Sequence, residues 1–326
     1  MNGVKVSVCI PTYNFGEFIG ETLESIVSQL SDDVEVIIGD GNSTDNTEQI
    51  VRGYQSRYHN IKYYKFDEKG GIDTDLIKTI EKATGEYCWL LSSDDVLIPG
   101  ALEYILEATR LGHAIYLCNR VDCDRELRAM KTRHWLDESQ GDGIFDFSLE
   151  TELKNYLKLS KGLGALFSFI SSIIVCRAEW VSASCNTDYL GCNYAHVHRF
   201  FSIAKNGGRL KYIKRPLILA RHYNDSFITN GVANRFYIDF DGYELITKQL
   251  FNDLVIIELV KTVMRREHKW YLFIGLKNKV SKTEWVELES SFISYGYHSF
   301  QLLLIRLLGS SNFFVSNVRR IRRIFT

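Results

Sequence analysis

The chain has 326 residues, 45% of them hydrophobic and 24% charged, with a formal net charge of −1. That is the composition of a soluble globular protein, long enough for a large core plus a second unit. It excludes a disulfide scaffold and a low-complexity chain: seven cysteines form no CxxC pair and several lie in apolar runs, as reduced core residues of a cytosolic protein do.

The N-terminus, Met1-Asn2-Gly3-Val4-Lys5, carries no signal-peptide pattern. Val4 to Ile10 is a β-branched run ending at Pro11, which predicts a buried first strand. From Phe15 to Gln29 the apolar residues recur at helical spacing, so an amphipathic helix follows. A second strand spans Val34 to Ile38 and ends at Gly39-Asp40. A helix from Thr44 to Tyr58, with Ser43 or Thr44 as N-cap, comes next. The third strand is Ile61 to Phe66 and the third helix Asp73 to Thr84, stopped by Gly85. Tyr87 to Leu91 is a fourth strand, running into Ser92-Ser93-Asp94-Asp95. Then come a helix from Gly100 to Leu111 and a short strand from Ala114 to Cys118. Residues 120–150 are charged and irregular, which predicts a long loop over a site. The longest nearly apolar run, 162–176, holds three serines and is too short to span a bilayer. Ile170 to Val175 and Leu217 to Ala220 read as further strands. A helix is expected over 194–206, and from about Asn234 the apolar spacing is helical. Strands alternating with helices imply a mostly parallel, doubly wound α/β sheet.

Two adjacent carboxylates at a strand end aim negative charge at one point, which is costly to bury unless a cation shares it. Ligands of open α/β sheets bind beyond the carboxyl ends of the strands. Asp94 and Asp95 are therefore the candidates for holding a divalent metal and the phosphates it bridges.

Three strand ends share that edge: Pro11-Thr12-Tyr13-Asn14, Asp40 with Ser43-Thr44-Asp45, and Ser93-Asp94-Asp95. Together with Val6-Ser7-Val8-Cys9-Ile10 and Ala83-Thr84-Gly85-Glu86-Tyr87, they make the chain resemble glycosyltransferase family 2, over residues 4 to about 110. The resemblance implies a GT-A nucleotide-sugar-binding fold over 1–225, a Rossmann-like mostly parallel sheet, followed by a C-terminal helical region over 226–326. It implies a nucleotide-sugar donor (CDP-, UDP- or GDP-linked) and Mg²⁺ or Mn²⁺. Pro11, Thr12 and Tyr13 then take the nucleotide, with the Tyr13 ring against the base. Asp40 accepts a hydrogen bond from base or ribose, Asp94 faces ribose or diphosphate, and Asp95 holds the metal. Asp45 reads as a charge at a helix N-terminus. Two departures leave the metal site lean: many members have paired aspartates where this chain has Asp40-Gly41, and an Asp where it has Ser92.

Residues 169–175, Tyr189-Leu190-Gly191 with Tyr194-Ala195-His196-Val197, and 224–227 also resemble abequosyltransferase-type enzymes of bacterial O-antigen assembly. This implies transfer of a 3,6-dideoxyhexose to a polyprenyl-diphosphate-linked oligosaccharide at the inner face of the bacterial inner membrane. The same likeness puts Asp73-Thr74-Asp75 toward the nucleotide and Tyr194 toward the acceptor. An inverting member needs a general base. Its usual Glu-Asp pair is missing here, which leaves His196 or Asp188; a retaining route needs no such base. His222 or Arg221 is a late residue for the metal or diphosphate. Trp135 either packs on the acceptor sugar or anchors its loop.

Two other classes remain open. A nucleotidyltransferase would want a basic glycine-rich loop after the first strand, and 11–17 has no Lys or Arg. A non-catalytic nucleotide-sugar-binding protein would not need Asp94-Asp95. Residues 226–326 carry 14 Lys/Arg against 9 Asp/Glu. In 318–325 four arginines alternate with Val318, Ile321, Ile324 and Phe325, which suits an anionic membrane surface better than nucleic acid.

Overall fold

The computed structural model describes residues 3–183, 190–222, 233–274 and 276–308. Val6–Thr12 (β1) and Val34–Asp40 (β2) are buried along their whole length and pair in parallel, Val6 beside Val34 and Thr12 beside Asp40. Ile61–Lys65 (β3) extends the sheet beyond β2. Tyr87–Leu90 (β4) lies on the other side of β1, Val6 beside Tyr87. The carboxyl ends of β1, β2 and β4 thus share one edge, as the alternating sequence predicts.

Side chains alternate between the two faces of a strand, and here each face has its own core. Val6, Val8, Ile10, Val36, Ile38, Trp89 and Leu91 meet Ile19–Val27 (α1), Thr47–Gln55 (α2) and Ala101–Ala108 (α4). Cys9, Ile37, Cys88 and Leu90 meet Leu76 and Ile80 of Gly71–Glu81 (α3) on the opposite side.

The sheet continues through Ile173–Cys176 (β9), antiparallel between β4 and Ile115–Cys123 (β6). Leu210–Arg221 (β10) then runs parallel to β6, with irregular register around Pro216, and Val96–Leu97 (β5) closes the edge. The order is β3-β2-β1-β4-β9-β6-β10-β5.

The structure corrects the expected loop over 120–150. Strand β6 runs on to Cys123, Ala129–Arg133 (β7) folds back on it, and Gly143–Phe145 (β8) pairs with β10. Glu150–Leu159 (α5) completes the segment. The strand pattern was hidden because β7 is mostly exposed and so carries no apolar alternation. The N-cap of α2 is Asn46 rather than Ser43 or Thr44.

Arg177–Ser182 (α6) and Ala195–Lys205 (α7) follow β9. The C-terminal helices are Asn234–Leu250 (α8), Leu254–Glu267 (α9), Lys282–Ser294 (α10) and Ser299–Leu308 (α11). Their buried residues, among them Phe240, Met264 and Phe292, belong to the same core as Leu90 and Ile115 of the sheet. The boundary expected at 225–226 and the basic tail both lie outside the described residues.

Trp135 is 3% exposed. Its indole N–H donates to the Cys118 carbonyl at 2.8 Å and the Ser172 hydroxyl at 3.1 Å. Gly164 lies against the ring so closely that a Cβ there would stand 2.2 Å from it. Replacing this side chain by alanine removes a large core group and strands its partners. Trp135→Ala should lower the unfolding free energy by about 3–5 kcal/mol in a urea titration. Unchanged stability with a raised KM for the acceptor would instead place the ring against the acceptor.

Candidate active site

A cavity of about 1120 Å³ opens at the shared carboxyl edge of β1 and β4. One wall is Pro11, Thr12, Tyr13 and Asn14, which follow directly from β1. The Lys69 ammonium lies 3.9 Å from the Tyr13 ring centre, so this face already attracts a planar or cationic group. The Thr12 hydroxyl is buried and makes no hydrogen bond among the described residues.

Asp40 ends β2 but does not line the cavity. It is fully buried; one carboxylate oxygen accepts from the Ser43 N–H at 2.7 Å and the other from the Tyr63 hydroxyl at 2.6 Å. Ser43 in turn accepts from the Asn14 N–H at 2.8 Å, and the Asn14 side chain accepts from the Thr44 N–H at 2.8 Å. Asp40 therefore fixes the loop that carries Asn14 into the wall. Asp45 accepts from Gly16 and Thr47 N–H groups at the start of α2, as a helix N-terminal charge does.

Asp94 and Asp95 both line the cavity. Asp95 is 2% exposed. Its oxygens accept from the Ser171 hydroxyl at 2.5 Å and the Arg221 backbone N–H at 3.1 Å. Burial, then the neighbouring Asp94 charge, pushes its carboxyl up to about 8. Asp94 is half-buried and accepts from the Ser92 hydroxyl. Serine thus stands where many members carry a third carboxylate, and it donates to the pair. The Arg221 guanidinium reaches the Asp94 carbonyl at 3.1 Å, the Arg125 carbonyl and the Glu21 carboxylate.

Among the described residues no group of three or more His, Cys, Asp or Glu could hold a metal ion. A small hard cation needs no such cage, since it keeps water and takes phosphate oxygens as ligands. The donor set fits a cation that arrives with a diphosphate. Asp95, raised by burial beside a second carboxylate, is the group whose ionisation a cation would restore.

His222 does not line the cavity. It stands 3.2 Å from Asp122. Burial opposes ionisation of Asp122, yet His222, Arg120 and Arg133 hold its carboxyl below the usual range. Trp135 does not line the cavity either: it stands behind Phe169, which does, with ring centres 5.9 Å apart.

The facing wall comes from the segment entering α7 and from α8. Gly191, Cys192, Asn193, Tyr194 and His196 line it. Asp73, on the first turn of α3, holds this segment by accepting from the N–H groups of Gly191 (3.0 Å), Asn193 (2.8 Å) and Ala195 (3.1 Å). Burial raises its carboxyl, and the three N–H groups oppose the rise. Asp75, two residues further along, lines the cavity itself.

Tyr194 donates its hydroxyl to Asp239 and lines the cavity. Asp239 is 1% exposed and pairs with Arg235 at 2.6 Å and His268 at 2.8 Å. Arg235 and Asp241 reach the cavity from α8. Neither was legible as a site residue, because only the i, i+4 spacing of Arg235 and Asp239 marked that helix as more than a core element.

His196 is 4% exposed, and neither ring nitrogen makes a hydrogen bond of good geometry. Burial lowers its pKa to about 4, offset in part by the Phe167 backbone, so the ring is neutral at pH 7. Asp188 lies outside the described residues.

Residues 7–181 match the family described as Glycosyl transferase family 2. Over 321 residues, 96% of both chains, the protein is 29% identical to abequosyltransferase RfbV of Salmonella typhimurium. It is 27% identical to the GalNAc(5)-diNAcBac-PP-undecaprenol beta-1,3-glucosyltransferase of Campylobacter jejuni, over 77% of this chain and 75% of that one. In fold it is similar to S. aureus TarS 1-349 solved with UDP-GlcNAc, with a TM-score of 0.65 and 16% identity over 97% of this chain and 92% of that one. The chain belongs to glycosyltransferase family 2, and its fold is of the GT-A kind.

Two predictions follow from the facing wall. Asp73→Ala strands three backbone N–H groups, each costing about 1–3 kcal/mol when buried without a partner. Hydrogen exchange over 190–195 should then rise strongly in the ligand-free protein. If exchange there is unchanged and only nucleotide affinity falls, Asp73 faces the nucleotide instead. The second concerns pH. A histidine depressed in the folded state binds its proton more readily when unfolded, so stability falls as pH drops from about 6.5 to about 4. His196 should account for roughly 3 kcal/mol of that loss. Urea titrations at pH 4, 5 and 6.5 should show a shallower decline in His196→Gln than in the wild type.

Proposed function

We propose that this glycosyltransferase moves a sugar from a nucleotide-sugar donor to a polyprenyl-diphosphate-linked oligosaccharide, with Mg²⁺ or Mn²⁺ at Asp94 and Asp95. One observation carries the reading: a buried carboxylate beside a second one, lining the same cavity as the Tyr13 ring. Similarity to an abequosyltransferase along 96% of the chain supports abequose or a related 3,6-dideoxyhexose as the sugar. Similarity to an enzyme named for an undecaprenol-diphosphate substrate supports the lipid-linked acceptor.

Each residue then has a task. Tyr13 offers its ring to the base, with Lys69 displaced toward the phosphates. Asp94 and Asp95 hold the cation, whose chemistry when bound is Lewis-acid stabilisation of the departing diphosphate. Ser171 and the Arg221 N–H keep Asp95 in one orientation, so little reorganisation is needed as charge develops. Arg235 places positive charge on the opposite wall, held there by Asp239. His196 is the described candidate to accept the acceptor hydroxyl's proton: it is neutral, lines the cavity, and makes no strong protein hydrogen bond. Asp188 is the alternative. Asp40 and Asp73 act at one remove, by fixing the loops that carry Asn14 and Tyr194.

No helix among the described residues is long and apolar enough to cross a membrane. We place the enzyme in the cytoplasm, peripheral on the inner face of the bacterial inner membrane, where such an acceptor is presented.

The test is transfer from CDP-, UDP- and GDP-linked sugars to a lipid-linked acceptor, followed by mass spectrometry with Mn²⁺, Mg²⁺ or EDTA. Wild-type protein should transfer one donor's sugar and stop in EDTA. Asp95→Asn should reduce kcat by about 10² or more. Its Tm should stay close to that of the wild type, since the substitution keeps the shape and burial already raises the carboxyl it replaces toward its neutral form. Near-wild-type turnover of Asp95→Asn at saturating Mn²⁺ would overturn the metal assignment.

A further inference from the structure

Helix α11 is apolar on two sides. At 100° per residue, Leu302 and Ile305 fall together, and both are buried, with the helix packed on residues 270–273. Phe300, Leu303 and Leu307 fall within about 60° of one another on the outer side. They are 67%, 48% and 61% exposed. An ion pair of Arg306 with Glu289 at 2.7 Å joins α11 to α10, on which Val286 and Ile293 are exposed as well. Single exposed apolar residues are ordinary, but three on one face of a short helix form a stripe that suits an interaction surface.

At the N-terminal end of α11 lies a second cavity of about 310 Å³, separate from the active site. Lys269, Trp270, Tyr271, His298 and Gln301 are among its lining residues. Amphipathic rings and a lysine at one end of an apolar stripe suit the headgroup layer of a bilayer. The charge of the segment agrees: residues 299–326 contain five arginines and no Asp, Glu or Lys. A second copy docked stripe to stripe would bring two such clusters together, an arrangement that like charges oppose.

We infer that the outer face of α11, with the cavity at its N-terminal end, docks this protein on an anionic lipid bilayer. The stripe enters the acyl boundary while Lys269 and His298 meet headgroup phosphates. The inference rests on the proposed reading in one respect: a lipid-linked acceptor gives the surface its purpose.

The experiment is co-sedimentation of the full chain with vesicles of phosphatidylglycerol and phosphatidylethanolamine, or of phosphatidylcholine alone. Wild-type protein should sediment with the anionic vesicles, release in high salt, and leave the neutral ones unbound. The triple variant Phe300→Ser, Leu303→Ser, Leu307→Ser should bind at least about tenfold more weakly. Should that variant not fold, hydrogen exchange of the wild type decides, with protection over 299–308 expected on adding anionic vesicles. Equal binding by variant and wild type, unchanged exchange, or no sedimentation at all would overturn the inference. A wild-type dimer in light scattering that the variant abolishes, without vesicle binding, would assign the stripe to a second copy and overturn it too. Transfer to a water-soluble acceptor analogue separates the two readings. Docking lost with transfer retained would end the inference alone, and docking without transfer would end the functional reading alone.

Discussion

A carboxylate buried beside another carboxylate is the constraint around which this molecule is arranged. Asp95 is 2% exposed, next to Asp94, and among the described residues its oxygens accept from a hydroxyl and a backbone N–H. Neither donor carries a full charge, so burial and the neighbouring Asp94 charge still raise the Asp95 carboxyl. The nearby Arg221 spends its guanidinium on Glu21 and on two carbonyls, which ties α1, β10 and the loop after β6 together around the pair. The site is thus held in one arrangement around a carboxyl that burial raises. A ligand bringing positive charge would favour its ionised form.

The opposite wall depends on a different economy of charge. Asp73 takes three backbone N–H groups and so orders a segment with little regular structure of its own. Asp239 is buried too, but it meets Arg235, His268 and Tyr194, which together hold its carboxyl ionised against the cost of burial. Removing one partner of such a cluster leaves an uncompensated charge, typically a loss of about 3–5 kcal/mol. Through this cluster the C-terminal helices reach the cavity: α8 supplies Arg235 and Asp239, and His268 follows α9. The helical region is therefore a structural part of the site, and its aromatic residues share one core with the sheet.

Much of the sheet was legible because burial leaves a local trace. Strands β1, β2 and β4 alternate between two cores, and their polar residues begin where pairing ends. The region 120–150 left no such trace, since β7 faces solvent and its pairing with β6 substitutes backbone hydrogen bonds for apolar contacts. Local cap signals mark the later helices: Ser281 and Glu284 form a capping box for α10, and Asp253 caps α9.

The sequence by itself determined the strand order's carboxyl edge, the placing of Tyr13, Asp94 and Asp95 upon it, and the helical character of the last third. Those features follow from periodicity and from where apolar runs stop, which are local properties. Only the tertiary structure decided which polar groups stay available. Asp40 is consumed by Tyr63 and Ser43, Asp73 by a loop more than a hundred residues later, and Trp135 by the carbonyl of Cys118 and the hydroxyl of Ser172. Asp75, Arg221 and Arg235 line the cavity while also holding partners within the protein. A side chain's freedom to bind a ligand depends on whether another part of the chain has already satisfied it, and such partners are brought together by folding, with no record in the neighbouring residues.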